Sequence, residues 1–263
     1  MRYHLSITLV LLISTPLLAK GPTSDQVKAV KNAELLGAAI YAQDRAASLA
    51  GDSFLAAFKP DQRTEVAGWL VRGGTDSQVV TFVGKRDDKY FGLYQVDVKH
   101  DQAGSVVPID PPRELVGADL GMFMARQVAL KAMPHSCSTP YNTVVLPGSL
   151  ANFDGWLVYL LAASSDANTV PVGGHFRAHI TADGATLMSI EPLSKSCLTL
   201  SRATEKGATA ALYMTHVMTD TPIETHVFLN LLYGVDFYVG TETSVWGITK
   251  GSIRYVGRNK GAK

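Results

Sequence analysis

The stretch from Val170 to Leu198 constrains this chain more than any other. Past Pro171 it reads VGGHFRAHITADGATLMSIEPLSKSCL, two strand-like runs either side of Ala182-Asp183-Gly184. Asp-Gly between such runs signals a turn, because glycine accepts positive φ. The stretch therefore predicts a β-hairpin, and its register can be argued. A two-residue loop at Asp183-Gly184 pairs Ala182 with Ala185 and sets Phe176 opposite Glu191. A three-residue loop, with Gly184 left-handed, pairs Thr181 with Ala185, Ala178 with Met188 and Phe176 with Ile190. The second choice places Phe176, Ala178, Ile180, Met188 and Ile190 on one apolar face, which a one-residue slip would scramble. His175, Arg177 and His179 share the other face, with His175 opposite Glu191 and Arg177 opposite Ser189.

The hairpin ends at Cys197, and the chain's other cysteine is Cys137. Their meaning depends on the compartment. Arg2 gives a short basic start, Leu5 to Leu18 is an apolar run, and Ala19 suits cleavage. The run is too short to span a bilayer and reads as a secretory signal peptide over residues 1–19, placing the mature chain in the periplasm or outside the cell. Two cysteines in an exported chain predict one disulfide, Cys137–Cys197. It would close a loop of about 61 residues, worth roughly 4 kcal/mol in the chain-entropy model.

Removing Arg2 leaves 23 Lys+Arg against 23 Asp+Glu. A neutral chain argues against nucleic-acid binding, which calls for a basic face. No later stretch has the length and apolarity of a membrane span.

Along the mature chain, Thr23 with Gln26 fits a capping box, and Ala-rich Val27 to Ala50 predicts a long helix. Gly51-Asp52-Ser53 is expected to end or kink it, with Phe54, Leu55 and Phe58 forming a short second piece. Tyr41, Asp44 and Arg45 read as a solvated or interface face. Val66–Val71, Gln78–Val83 and Tyr90–Lys99 are β-branched and aromatic, with turns at Gly73-Gly74 and Arg86-Asp87-Asp88, and predict a meander. A short strand near Ser105–Ile109 precedes Asp110-Pro111-Pro112, which reads as the start of a helix over Glu114–Met133. Asn142–Leu146 and Gly155–Ala163 return to strand, and Trp156–Leu161 is apolar enough to be covered on both sides. Thr209–Met218 and Ile223–Leu232 predict a second hairpin around Asp220-Thr221-Pro222. Val235–Gly240, Val245–Ile248 and Ile253–Val256 complete the strands.

Helices segregated from runs of strands predict an α+β fold: a long N-terminal helix and a second helix packed on a largely antiparallel, multi-stranded sheet. Residues 20–263 read as one α+β domain, with a subdomain boundary conceivable near 134–147.

No G-x-S-x-G, H-E-x-x-H, P-loop or Rossmann pattern occurs, so chemistry has to be sought among the histidines. A three-residue loop in the second hairpin places His216 opposite His226, with Glu224 on the same face. Imidazoles at facing strand positions are close enough to share a metal ion. His175 and His179 form a second same-face pair. If the hairpins are neighbours, three or four of these imidazoles with Glu224 or Glu191 could gather Zn²⁺ and an activated water. Trp69, Trp156, Trp246 and the Tyr233–Tyr238 stretch are candidates to line a groove. Three functions compete. The first is a non-catalytic binding module, cofactor-free, for a protein or envelope ligand. The second is a zinc-dependent hydrolase on the strand histidines. The third is an inhibitor or immunity-type partner of another secreted protein.

Overall fold

The computed structural model describes residues 21–138, 140–204, 207–208, 211–259 and 261. The expected signal peptide, residues 1–19, lies outside them. The fold is α+β. Helix α1 (Ser24–Ala57) is followed by strands β1 (Val66–Gly73), β2 (Ser77–Arg86), β3 (Lys89–Lys99), β4 (Gln102–Ala103) and β5 (Val107–Glu114), then by helix α2 (Gly117–Ala132). Next come β6 (Tyr141–Pro147), β7 (Trp156–Ala162), β8 (Thr169–Pro171), β9 (Phe176–Ile180), β10 (Leu187–Pro192), β11 (Thr199–Ser201), β12 (Ala203–Thr204) and β13 (Gly207–Ala208). The chain ends with β14 (Ala211–Thr215), helix α3 (Glu224–Tyr233), β15 (Asp236–Gly240), β16 (Ser244–Thr249) and β17 (Ser252–Arg258). Three main sheets result: the β1–β5 meander, a β10-β9-β7-β6 sheet, and a β14-β15-β16-β17 sheet.

Helix α1 starts at the predicted capping box, with the Thr23 and Gln26 side chains exchanging bonds with each other's backbone N–H. It does not end at Gly51. Phe54 lies on its buried stripe and anchors the last turns against Phe82 of β2 at 4.3 Å between ring centres, which outweighs one helical glycine at about 1 kcal/mol. The 34-residue helix is roughly 50 Å long at about 1.5 Å per residue. It serves two cores. Val30, Ala33, Leu36 and Ile40 pack with β6, β7, α3 and the last sheet, whereas Ala46, Ala50 and Phe54 pack on the meander. Gly37 lets α3 approach, since a Cβ there would stand 2.5 Å from Val227 Cβ.

Strand β7 is covered on both faces. Leu157, Tyr159 and Leu161 point into the α1/α3 core, Val158 and Leu160 into the core beneath α2. The Cys137–Cys197 disulfide is present. It ties the segment after α2 to the loop beyond β10, and Gly174 is pinned beside it, its missing Cβ only 2.5 Å from Cys137 Cβ.

Four further expectations are corrected. The β9–β10 hairpin forms, with Gly184 at φ +75°, but Ala178 faces Ile190 and Phe176 faces Pro192. The loop is longer, closing where Thr181 N–H donates to Thr186 O, and a bulge at Met188 shifts the register again. The net slip is two residues, so the buried face of β9 survives (Phe176, Ala178 and Ile180) while Met188 is 59% exposed. Arg177 therefore faces Glu191 and His179 faces Ser189; His175 precedes the strand.

Asp110-Pro111-Pro112 lies inside β5, not at a helix start. Strand β5 pairs with β3 at Val107–Pro108 and Arg113–Glu114, and the register breaks between, where the prolines have no N–H to give the ladder. The helix begins later, at Gly117. The second hairpin is absent: Glu224–Tyr233 is helix α3, and β14 runs parallel to β15. Parallel neighbours need a crossover, here a helix buried between α1 and the last sheet; its apolar run carries no clear strand or helix period. The fourth correction, at Asp44, belongs to the site.

Candidate functional site

Helix α2 carries an arginine on its packed face. Met122, Phe123 and Ala129 of that face are buried in the core, and Arg126 follows Phe123 by three residues and Met122 by four, on the same side of the helix. Its guanidinium lies over the ring of Trp69 of β1, with Cζ 4.2 Å from the ring centre. Nε donates to Thr143 Oγ1 of β6 at 2.6 Å. β1 makes room for it: a Cβ at Gly68 would stand 2.8 Å from Arg126 Nη1. The β1–β2 register shifts beside it, between Val66 and Gly68, leaving Ala67 as the extra residue, and such bulges re-aim side chains.

Burial pushes the Arg126 pKa down to about 10, which leaves it cationic at neutral pH. Among the described residues no carboxylate lies within ion-pair distance, and neither terminal nitrogen has a hydrogen-bond partner. The fold treats Arg177 differently: that partly buried arginine bonds both Glu191 and Glu224.

Arg126 and Trp69 line a cleft of about 490 Å³ between α1, the meander and β6. Its apolar wall includes Ala47, Phe54, Leu55, Val66 and Phe82, and its polar residues include Asp44, Asn142 and Thr143. Asp44 is only 7% exposed, which corrects the expectation of a solvated face. It sits where α1 passes from one core to the other, beside Gln43 and four residues after Ile40 on the buried stripe. Asn142 Nδ2 donates to its Oδ1 at 3.1 Å. Burial nevertheless raises its pKa to about 6, the Asn142 bond opposing that shift.

The histidines fall elsewhere. His216 and His226 do meet, edge to face at 4.8 Å, because the β14–α3 turn folds back and not through a hairpin. His226 is the third residue of α3, and its Nδ1 accepts from Ile223 N–H. Thr219 Oγ1 spends its proton on Thr221 O and so receives one from His216 Nε2. Both rings line a cleft of about 160 Å³ with Val172, Ser194 and Met214.

His175 is 1% exposed. Its Nδ1 accepts from Ala162 N–H at 3.1 Å and its Nε2 donates to Pro171 O at 2.9 Å. Burial lowers His175 and His216 to about 4. Burial and then repulsion from His216 and His175 hold His226 well below the ordinary range.

Glu224 opens α3, accepts from Tyr159 Oη at 3.0 Å and pairs with Arg177. His179 packs against Phe153 and bonds Ser189 Oγ through Nδ1. The group of three metal-type ligands among the described residues is His135, Cys137 and Cys197, two of them joined in the disulfide.

Of the aromatic candidates, Trp69 lines the larger cleft, Trp246 is buried, and Trp156 Nε1 donates to Ala182 O. No protein-family model matches this chain, and no curated protein or solved structure matches it significantly.

Proposed function

We propose that the protein is an exported, non-catalytic binding module whose ligand occupies the Trp69–Arg126 cleft. One observation carries this reading: Arg126 is held on Trp69, partly buried, with no carboxylate of the described residues within ion-pair distance. Taking even part of a cation out of water without a partner costs desolvation energy, which a bound anion would offset. An unpaired one at the wall of an open cleft is the mark of a site completed by a ligand. Export is supported by the residue 1–19 pattern and by the disulfide, which suits an oxidising compartment.

The test is a ligand-observed NMR screen of small organic fragments against residues 20–263, repeated with Ser48→Trp. Ser48 is exposed on the cleft's rim, so the variant should fold and fill the cleft. Fragments that bind the parent and are lost from the variant are expected. No binders, or binders indifferent to Ser48→Trp, would overturn the reading.

A zinc-dependent hydrolase is the second reading, favoured by the contact of His216 with His226. Stoichiometric zinc in untagged protein, lost in His226→Ala, would promote it.

A further inference from the structure

Resting on the cleft as the binding site, we infer that its ligand is an amphiphilic monoanion: one carboxylate or sulfonate on an extended apolar body. The charge comes first. Arg126 is the cation that lines the cleft, and both terminal nitrogens are without partners among the described residues. Its side chain is already ordered by the Trp69 ring beneath it and by Thr143 at Nε. A planar fork so held matches the two oxygens of a carboxylate or sulfonate, with little further ordering on binding.

The number of charges follows from the acids. Asp44 lines the same cleft, and Asp52 stands exposed at its edge. Arg126 can pair with one anionic group, and every further negative charge on a ligand would meet only the two acids. The body follows from the wall, where Phe54, Leu55, Val66, Phe82 and the free surface of Trp69 are apolar. A volume of about 490 Å³ is ample for a chain of eight or more carbons or a fused ring pair.

Asp44 adds a signature. Its carboxyl ionises at about 6. Below that pH it is neutral and tolerates a nearby anion; above it the carboxylate repels one. Affinity for a permanently charged anion should therefore fall as pH rises through about 6.

The experiment is titration calorimetry of residues 20–263 with octane-1-sulfonate, anionic at every pH used, and with 1-octanol, its neutral counterpart. At pH 5 the sulfonate should bind at least about tenfold more tightly than the alcohol. Arg126→Gln should remove that preference, bringing sulfonate affinity down to that of octanol for the same variant. Arg126→Lys should retain part of it, and guards against misfolding of the glutamine variant. Sulfonate affinity should weaken several-fold between pH 5 and pH 7.5 in the parent and stay level in Asp44→Asn.

Equal binding of the two probes, both lost in Ser48→Trp, would overturn anion selection while leaving the cleft as a binding site. Sulfonate binding unchanged in both Arg126 variants would overturn it as well. Failure of both probes, while fragments still compete for the cleft, would overturn the ligand class alone.

Discussion

His175 offers a prediction whose size follows from the structure. Its ring is buried and bonded at both nitrogens, accepting from Ala162 N–H and donating to Pro171 O. A proton on Nδ1 would break the first bond and bury a cation, so its pKa falls from 6.5 to about 4. The unfolded chain takes up a proton near pH 6.5; the native one does not until about pH 4. Across that window the unfolded state holds more protons, and stability falls as pH falls. The fall from 6.5 to about 4 corresponds to roughly 3 kcal/mol in full, of which about 2–3 kcal/mol is lost between pH 7 and pH 4.5.

Urea unfolding of the parent and His175→Gln at the two pH values measures this. The variant should be weaker at pH 7 by about 1–3 kcal/mol, because the buried Ala162 N–H loses its acceptor. It should then lose about 2–3 kcal/mol less than the parent on acidification. His216 pushes the same way in both proteins; repulsion from His175 contributes to the lowering of His226, so the difference reports His175 together with that contribution. Equal losses in the two proteins would refute the reasoning.

Two further predictions concern stability. Asp44 has its pKa raised from 3.8 to about 6, so the native state holds the extra proton between those values and stability falls as pH rises through them. Asp44→Asn should therefore be more stable than the parent by about 2–3 kcal/mol at pH 8 and nearly equal to it at pH 4 in urea titrations; no gain at pH 8 would contradict the burial argument. Gly184→Val should cost about 3 kcal/mol or more by thermal unfolding. To the left-handed strain of about 1–2 kcal/mol it adds a Cβ 2.1 Å from Gly121 O of α2. A loss under 1 kcal/mol would show that the turn can move away from α2.

The N-terminal capping box, the meander, the disulfide and the Gly184 turn were legible because each rests on local chemistry or on pairs of residues. The β10 register was not. Face alternation repeats every two residues, so it cannot distinguish Met188 from Ile190 as the partner of Ala178; the Met188 bulge depends on tertiary fit. Helix α3 was missed because a segment buried on both sides shows no period. His216 and His226 met for a reason other than the one expected: a helix start, not a hairpin, brings them together.

The cleft was half legible. Trp69 stood out as an aromatic, while Asp44 and Arg126 did not. The available signal was charge on an apolar stripe: Asp44 follows Ile40 by four positions, and Arg126 follows Met122 by four. A charged residue at a core position has either a buried partner or an opening to reach, and only the structure shows which.

The measurement closest to the central claim is a crystal structure of the complex with octane-1-sulfonate. The account predicts sulfonate oxygens within about 3 Å of the Arg126 terminal nitrogens, with the alkyl chain along Trp69 and Phe82. The sulfonate bound at the His216–His226 cleft or on an exposed apolar surface, with Arg126 left without it, would contradict the account.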